Sequence, residues 1–185
     1  MNAPLPLTVA REMADSAYDS VASASNEVAG LLAARLAKET EGEVLFSPAD
    51  RGRYATDASI YQVLPIGVFV PRNCADVKLA LDICRDLKVP IVPRGGGTSQ
   101  CGQTVGAGLV IDHSKHVRRI LSFDAVQRTA LVEPGIVLDH LNLGLKKLGL
   151  WYPVDVSTSA QATLGGMAGN NSCGCLLYTS DAADE

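Results

Sequence analysis

The sequence predicts an α+β fold. A strand–helix–strand run lies between Gly67 and Pro93, three more strand candidates follow between Gly108 and Glu133, and helical periodicity appears on either side. The first helix is expected over Ser25–Lys38, capped by Ser25 or Asn26, with Val28, Leu31, Leu32 and Leu36 on one face and Gly42 just past its end. Val44–Phe46 reads as a short strand, and Ser47–Ser59 as polar and turn-rich. Gly67–Val70 is β-branched and stops at Pro71, so it predicts a strand. Asn73 then caps a helix over Ala75–Leu87, whose apolar side is Val77, Leu79, Ala80, Leu81 and Ile83. Pro90–Pro93 follows as a short buried strand, which makes a small parallel βαβ unit.

Gly108–Asp112, Ile120–Phe123 and Thr129–Glu133 are separated by polar turns and read as a meander. Val137–Leu148 predicts a helix with Val137, Leu138, Leu141, Leu145 and Leu148 inward and Gly149 as its C-cap. Trp151–Thr158 is extended, and Thr163–Gly174 is a second segment rich in Gly and Asn.

The chain has 185 residues, 47% of them hydrophobic, enough for one domain with a sizeable core or part of a larger one. Its net charge of -4 argues against a nucleic-acid binder, and the short basic run His113–Arg119 reads as a solvated strand edge. Arg11, Glu12 and Asp15 break up the N-terminus before a secretory signal could form, and no stretch nears the ~20 apolar residues of a membrane span. A cytoplasmic protein, at most peripheral to the inner membrane, is expected. The five cysteines contain no C-x-x-C pair and are expected as buried free thiols, with no metal site.

Arg94–Gly108 is fifteen residues with six glycines and no helical or strand pattern, a length that in a compact domain usually carries function. Gly95, Gly96 and Gly97 let backbone approach a ligand closely, and successive N–H groups in such a turn form a nest for an anion. Thr98 and Ser99 add hydroxyls, and Arg94 can offset negative charge by direct contact or from behind the loop. No Gly-Lys-Ser/Thr follows, so this is not a P-loop. No G-x-G-x-x-G opens a helix either, so a phosphate would be held by the loop's own backbone.

Seven pieces then resemble, in order and spacing, the FAD-binding domain of the vanillyl-alcohol-oxidase-like (PCMH-type) flavoproteins, nearest the D-lactate, glycolate and D-2-hydroxyglutarate dehydrogenase branch. They are RYATDAS (Arg53–Ser59), VPRNCADV (Val70–Val77), VPRGGGTSQCGQ (Val92–Gln103), IDHSKHVRRI (Ile111–Ile120), VEPGIVLDHLN (Val132–Asn142), YPVDVSTS (Tyr152–Ser159) and ATLGGMAGNNSCG (Ala162–Gly174). The resemblance implies two α+β subdomains with FAD between them. It implies pyrophosphate binding by Arg94, Gly95, Gly96, Gly97, Thr98 and Ser99, helped by Gly102 and Gln103. Thr163, Gly165 and Gly166 would act from the other side, with Asn171 and Gly174 in the same segment, and Pro153, Asp155 and Thr158 would lie near the flavin. Some relatives attach FAD through a loop His; here Gly97 and Thr98 stand there, so non-covalent FAD is expected. His113 and His116 read as structural or surface residues. The family's Asp-Pro-Ser-Thr appears as Asp155-Val156-Ser157-Thr158, a departure that bears on the local loop geometry.

The division expected is a helical lead-in over residues 1–52, the FAD domain over 53–174, and a foreign tail over 175–185. That tail, CLLYTSDAADE, back-translates to a string resembling a transposase adapter used in DNA library preparation. The FAD domain would then be C-terminally incomplete and this chain alone inactive, so no catalytic acid, base or metal ligand is named. The function implied is oxidation of a D-2-hydroxy acid such as D-lactate, glycolate or D-2-hydroxyglutarate, with an unknown electron acceptor such as an iron–sulfur domain or subunit. The alternatives are a transferase like alkyl-dihydroxyacetone-phosphate synthase and a nucleotide-binding module without catalysis.

Overall fold

A computed structural model describes residues 26–172. The caps expected at Ser25, the residues around Cys173, Gly174 and Cys175, and the tail lie outside the described residues. Helix α1 spans residues 26–39. It is followed by β1 (Glu43–Leu45), α2 (Pro48–Arg53), β2 (Gly67–Val70), α3 (Cys74–Leu87), β3 (Ile91–Arg94), β4 (Leu109–Asp112), β5 (Ile120–Asp124), β6 (Thr129–Val132), α4 (Leu138–Lys146) and α5 (Leu164–Gly169).

Four strands form one sheet in the order β1-β2-β4-β3. β2, β4 and β3 run parallel, and β1 closes the sheet antiparallel on β2. The strand–helix–strand unit is there, but β4 lies between its two strands. The expected meander is thereby corrected: only β5 and β6 pair as an antiparallel hairpin. Leu109–Asp112 is buried throughout and takes parallel partners on both edges, a placement that polar turns on either side do not encode.

Side chains alternate across the sheet. Phe69, Leu109 and Ile111 pack with Leu32 and Leu36 of α1 and with Ala80, Ile83 and Cys84 of α3. Val68, Val70 and Val110 face the other way, against Leu45, Tyr54 and Val92. The buried helix faces are narrower than the sequence predicts: Leu31, Leu79, Leu81 and Leu148 are exposed. Asn73 caps α3 as expected, its side chain accepting from the Asp76 N–H. Asp76 is itself buried, and its carboxylate accepts from the N–H groups of Glu41 and Arg72, tying the turn after α1 to the start of α3.

α2 interrupts the segment read as turns. Ser47 caps it by accepting from the Asp50 N–H, and Pro48 stands in its first turn. A second core forms around Leu138, Val154, Ala162 and Met167, and a third around Ile136, Leu141 and Leu145. Among the described residues no helix is long and apolar enough to cross a membrane.

The cysteines correct another expectation. Cys84 is buried, but Cys74 and Cys101 are exposed. Burial pushes the Cys84 thiol up to about 11, so it holds almost no thiolate at neutral pH. Iodoacetamide should therefore label Cys74 and Cys101 in the native protein and Cys84 only after unfolding, as read by peptide mass spectrometry. Labelling of Cys84 at the rate of Cys101 under native conditions would contradict this packing.

Candidate cofactor site

β3 delivers the chain into the Gly95–Gly97 turn, and a cleft of about 750 Å³ opens there. Its first wall is Arg94–Ser99 with Gln103 and Thr104; its second is Thr163, Gly165 and Gly166; Asp155 and Thr158 close one side. Sequence pieces about sixty residues apart thus meet around one space, of the size that small-molecule sites have.

Direct packing joins the two walls. A Cβ on Gly95 would stand 2.0 Å from Thr163 Oγ1, and one on Gly96 would stand 2.1 Å from the Gln161 carbonyl oxygen. Gly95 is needed where the loop meets the Thr163 side chain, and Gly96 where backbone meets backbone. The second wall is held by its own ladder: the Leu138 N–H donates to Ala162 O, Leu164 to Ile136 O, and Gly165 to Pro134 O. A bridge between Val137 and Thr163 completes it.

The donors in these walls are unequally used. In α5, Leu164 donates to Ile136 O, Gly165 to Pro134 O, Met167 to Thr163 O and Gly166 to the Thr163 hydroxyl. The helix start is thus spent on its own structure. The N–H groups of Gly95 through Ser99 donate to nothing among the described residues. Gly97 has φ +66°, so the turn changes hand there, as an anion nest requires. The loop side of the cleft therefore carries unpaired backbone donors, while the α5 side does not.

The remaining predicted residues divide. Arg94 stands behind the loop: its guanidinium lies 5.3 Å over the Tyr54 ring and donates to the carbonyls of Tyr54 and Thr104. The Ser99 hydroxyl donates to Gln103 Oε1 at 2.6 Å, so these two brace each other. The Thr98 hydroxyl has no such partner among the described residues. Gly102, Pro153 and Asn171 do not line the cleft. Gly102 (φ +73°) packs against the Tyr61 ring, Asn171 turns at φ +48°, and its neighbour Asn170 lines the cleft instead. Gly174 lies outside the described residues.

Sequence reasoning missed the bracing piece. Within RYATDAS, the Ala58 N–H donates to Gly97 O, and Asp57 accepts from the Thr104 hydroxyl at 2.9 Å. Tyr54, under Arg94, donates to Asp112 Oδ2 at 2.7 Å, and burial followed by that carboxylate raises the phenol above its ordinary range. Its signal was an Asp with Ser two residues on, an Asx turn in which Asp57 accepts from the Ser59 N–H. His113, read as structural or surface, lines the cleft; His116 instead bonds Glu43 at 2.8 Å.

A family model described as FAD binding domain matches residues 65–184, and so runs into the CLLYTSDAADE tail. The chain belongs to this FAD binding domain family. D-2-hydroxyglutarate dehydrogenase of Pantoea ananatis is 42% identical over 147 residues, covering 76% of this chain and 14% of that protein. The Escherichia coli enzyme of the same name is 40% identical over the same shares. Glycolate oxidase subunit GlcD of Bacillus subtilis is 38% identical over 74% of this chain and 30% of its own length. The chain therefore spans about a seventh of the length of the first two relatives.

Among solved structures, a variant of Physcomitrella patens BBE-like 1 superposes with a TM-score of 0.63 at 24% identity, over 74% of this chain and 30% of the other. An alkyldihydroxyacetonephosphate synthase gives 0.61 at 21% identity, over 67% and 26%. These likenesses establish the α+β, PCMH-type FAD-binding fold, and FAD is the cofactor of the family. The loop fits it: the partnerless donors suit a diphosphate, and the cleft volume suits a bound organic group.

Proposed function

We propose that this chain is the FAD-holding portion of a flavin-dependent oxidoreductase acting on a D-2-hydroxy acid such as D-lactate, glycolate or D-2-hydroxyglutarate. The observation that carries it is the run of partnerless N–H groups from Gly95 to Ser99 on a cleft of about 750 Å³. In this reading those groups and the Thr98 hydroxyl hold the pyrophosphate. Asp57, Ser99 and Gln103 keep the loop in shape, and Arg94 offsets charge from behind. Thr163, Gly165 and Gly166 bring the second wall close, and Asp155 and Thr158 border the flavin end. Bound flavin supplies the two-electron acceptor; the protein supplies position and exclusion of water.

The substrate class is supported by the dehydrogenase relatives at 38–42% identity, against 21% for the transferase-like structure. An unidentified electron acceptor and a location in the cytoplasm or at the inner-membrane surface belong to the same proposal. Purified whole protein should be yellow, and D-2-hydroxyglutarate, D-lactate or glycolate should bleach its flavin band under anaerobic conditions. Acid precipitation should then release all flavin, since no His stands in the loop. Failure of every D-2-hydroxy acid to bleach bound flavin would refute the substrate class; yellow pellets would refute non-covalent attachment.

A further inference from the structure

The structure assigns a second, titratable contact to the cofactor: we infer that protonated His113 donates from Nε2 to the FAD diphosphate and makes cofactor retention pH-dependent. The inference rests on the FAD reading above. His113 directly follows β4 and sits where the cleft's segments join. Its backbone N–H donates to Arg94 O at 3.0 Å, at the entrance to the glycine turn. Its carbonyl oxygen packs so closely on the next turn that a Cβ on Gly135 would stand 2.0 Å away. The adjoining Pro134 accepts from Gly165 of the second wall. His113 is thus wedged between both walls and lines the space between them.

The ring's tautomer follows from its partner. Nδ1 lies 3.4 Å from Arg94 O, and a carbonyl oxygen only accepts. Nδ1 therefore carries the proton in the neutral ring, and Nε2 is left a bare lone pair. A lone pair repels a phosphate oxygen. One added proton turns it into a charge-assisted donor.

The other charged groups nearby do not substitute for it. Arg94, the other cationic side chain among the described residues of the cleft, is turned toward the carbonyls of Tyr54 and Thr104. Asp112 accepts from Tyr54 and Ser114, and Glu133 is paired with Arg119. Lys115 and His116 both bond Glu43, away from the cleft lining. Asp155 and the Cys101 thiol are the other titratable groups that line the cleft. α5, on the far wall, carries no charged residue.

The test is FAD affinity of the deflavinated whole protein, followed by quenching of flavin fluorescence between pH 5.5 and 7.5. ADP competition separates the diphosphate from the flavin ring. Wild type should bind both FAD and ADP about tenfold more tightly at pH 5.5 than at pH 7.5. His113→Gln should flatten the profile to less than twofold, and His116→Gln should leave it as in wild type. His113→Lys should bind at pH 7.5 about as wild type does at pH 5.5. A flat wild-type profile, or a His113→Gln profile as steep as wild type, overturns the assignment while leaving FAD binding intact. Absence of FAD binding at every pH overturns the FAD reading itself, and this inference with it.

Discussion

Gly96→Val is expected to leave the purified whole protein with less than about a tenth of its flavin. The reason lies in the seam between the walls. A Cβ at residue 96 would stand 2.1 Å from the Gln161 carbonyl oxygen, and backbone cannot swing aside as a side-chain tip can. The valine must push Arg94–Ser99 away from Gln161–Thr163. That shifts the partnerless N–H groups of the loop relative to the second wall. It also disturbs Thr163, which is buried and caps α5. Overpacking of this kind costs about 1–3 kcal/mol of stability. The parallel sheet packs around other residues, so it should survive. The measurement is flavin-to-protein absorbance beside a circular dichroism spectrum. Full flavin content in a folded variant would show that the seam opens without moving the loop.

The second large effect is expected at Glu133, whose side chain is 2% exposed. Its carboxylate accepts from the Arg119 N–H at 2.7 Å and from the Arg119 guanidinium, also at 2.7 Å. Its own N–H donates to Arg119 O. The pair thus staples the entry of β5 to the turn after β6. Glu133→Ala leaves the Arg119 N–H without its acceptor and empties buried space, for an expected loss of about 2–3 kcal/mol. The Arg119 side chain is 68% exposed, so no charge is stranded and the larger cost of breaking a fully buried pair does not apply.

The pH sign at this pair follows from its direction. The Arg119 guanidinium holds the Glu133 carboxyl below the ordinary carboxylate range. A depressed folded value contributes stability above the unfolded value of ~4.3, and loses it as pH falls through the folded one. Glu43 behaves likewise: Lys115 and then His116 hold it at about 2. Urea midpoints of wild type and Glu133→Gln should therefore converge as pH is lowered below ~4. A gap that stays constant down to acid would mean that the carboxylate's charge is not what the staple uses.

Much of this arrangement was legible because its causes are local. Asn73 three residues before Asp76 specifies a helix start. The partnerless glycine turn was legible for the same reason. Gly149 (φ +69°) turns the chain after α4, but that helix ends at Lys146 with Lys147 as its C-cap, earlier than the expected Leu148. What escaped depends on distant partners. β4 reads like its successors, but its neighbours are β2 and β3, set by the burial of Leu109 and Ile111 on one face and Val110 on the other. α5, with the sequence LGGMAG, has poor intrinsic propensity; its turns are secured by Thr163 and by Ile136 and Pro134 across the ladder. Leu79 and Leu81 looked inward because only the chain that covers α3 decides how wide its buried stripe is. α2 did have a local signal, Ser47-Pro48 followed by Asp50.

The strand order β1-β2-β4-β3 also sets a timetable. β4 is the last of the four to leave the ribosome, yet it occupies the slot between β2 and β3. Until Asp112 has been synthesised, the two strands on either side have no common neighbour and the sheet cannot close. Residues 95–108 form the link that carries the chain from β3 back to that slot, so both ends of the glycine-rich link are anchored only when β4 inserts. Nascent chains stalled short of Asp112 should expose both flanking strands to chaperones, and chains stalled well beyond it should not. Insertion of a single central strand thus makes assembly of the cradle nearly all-or-none.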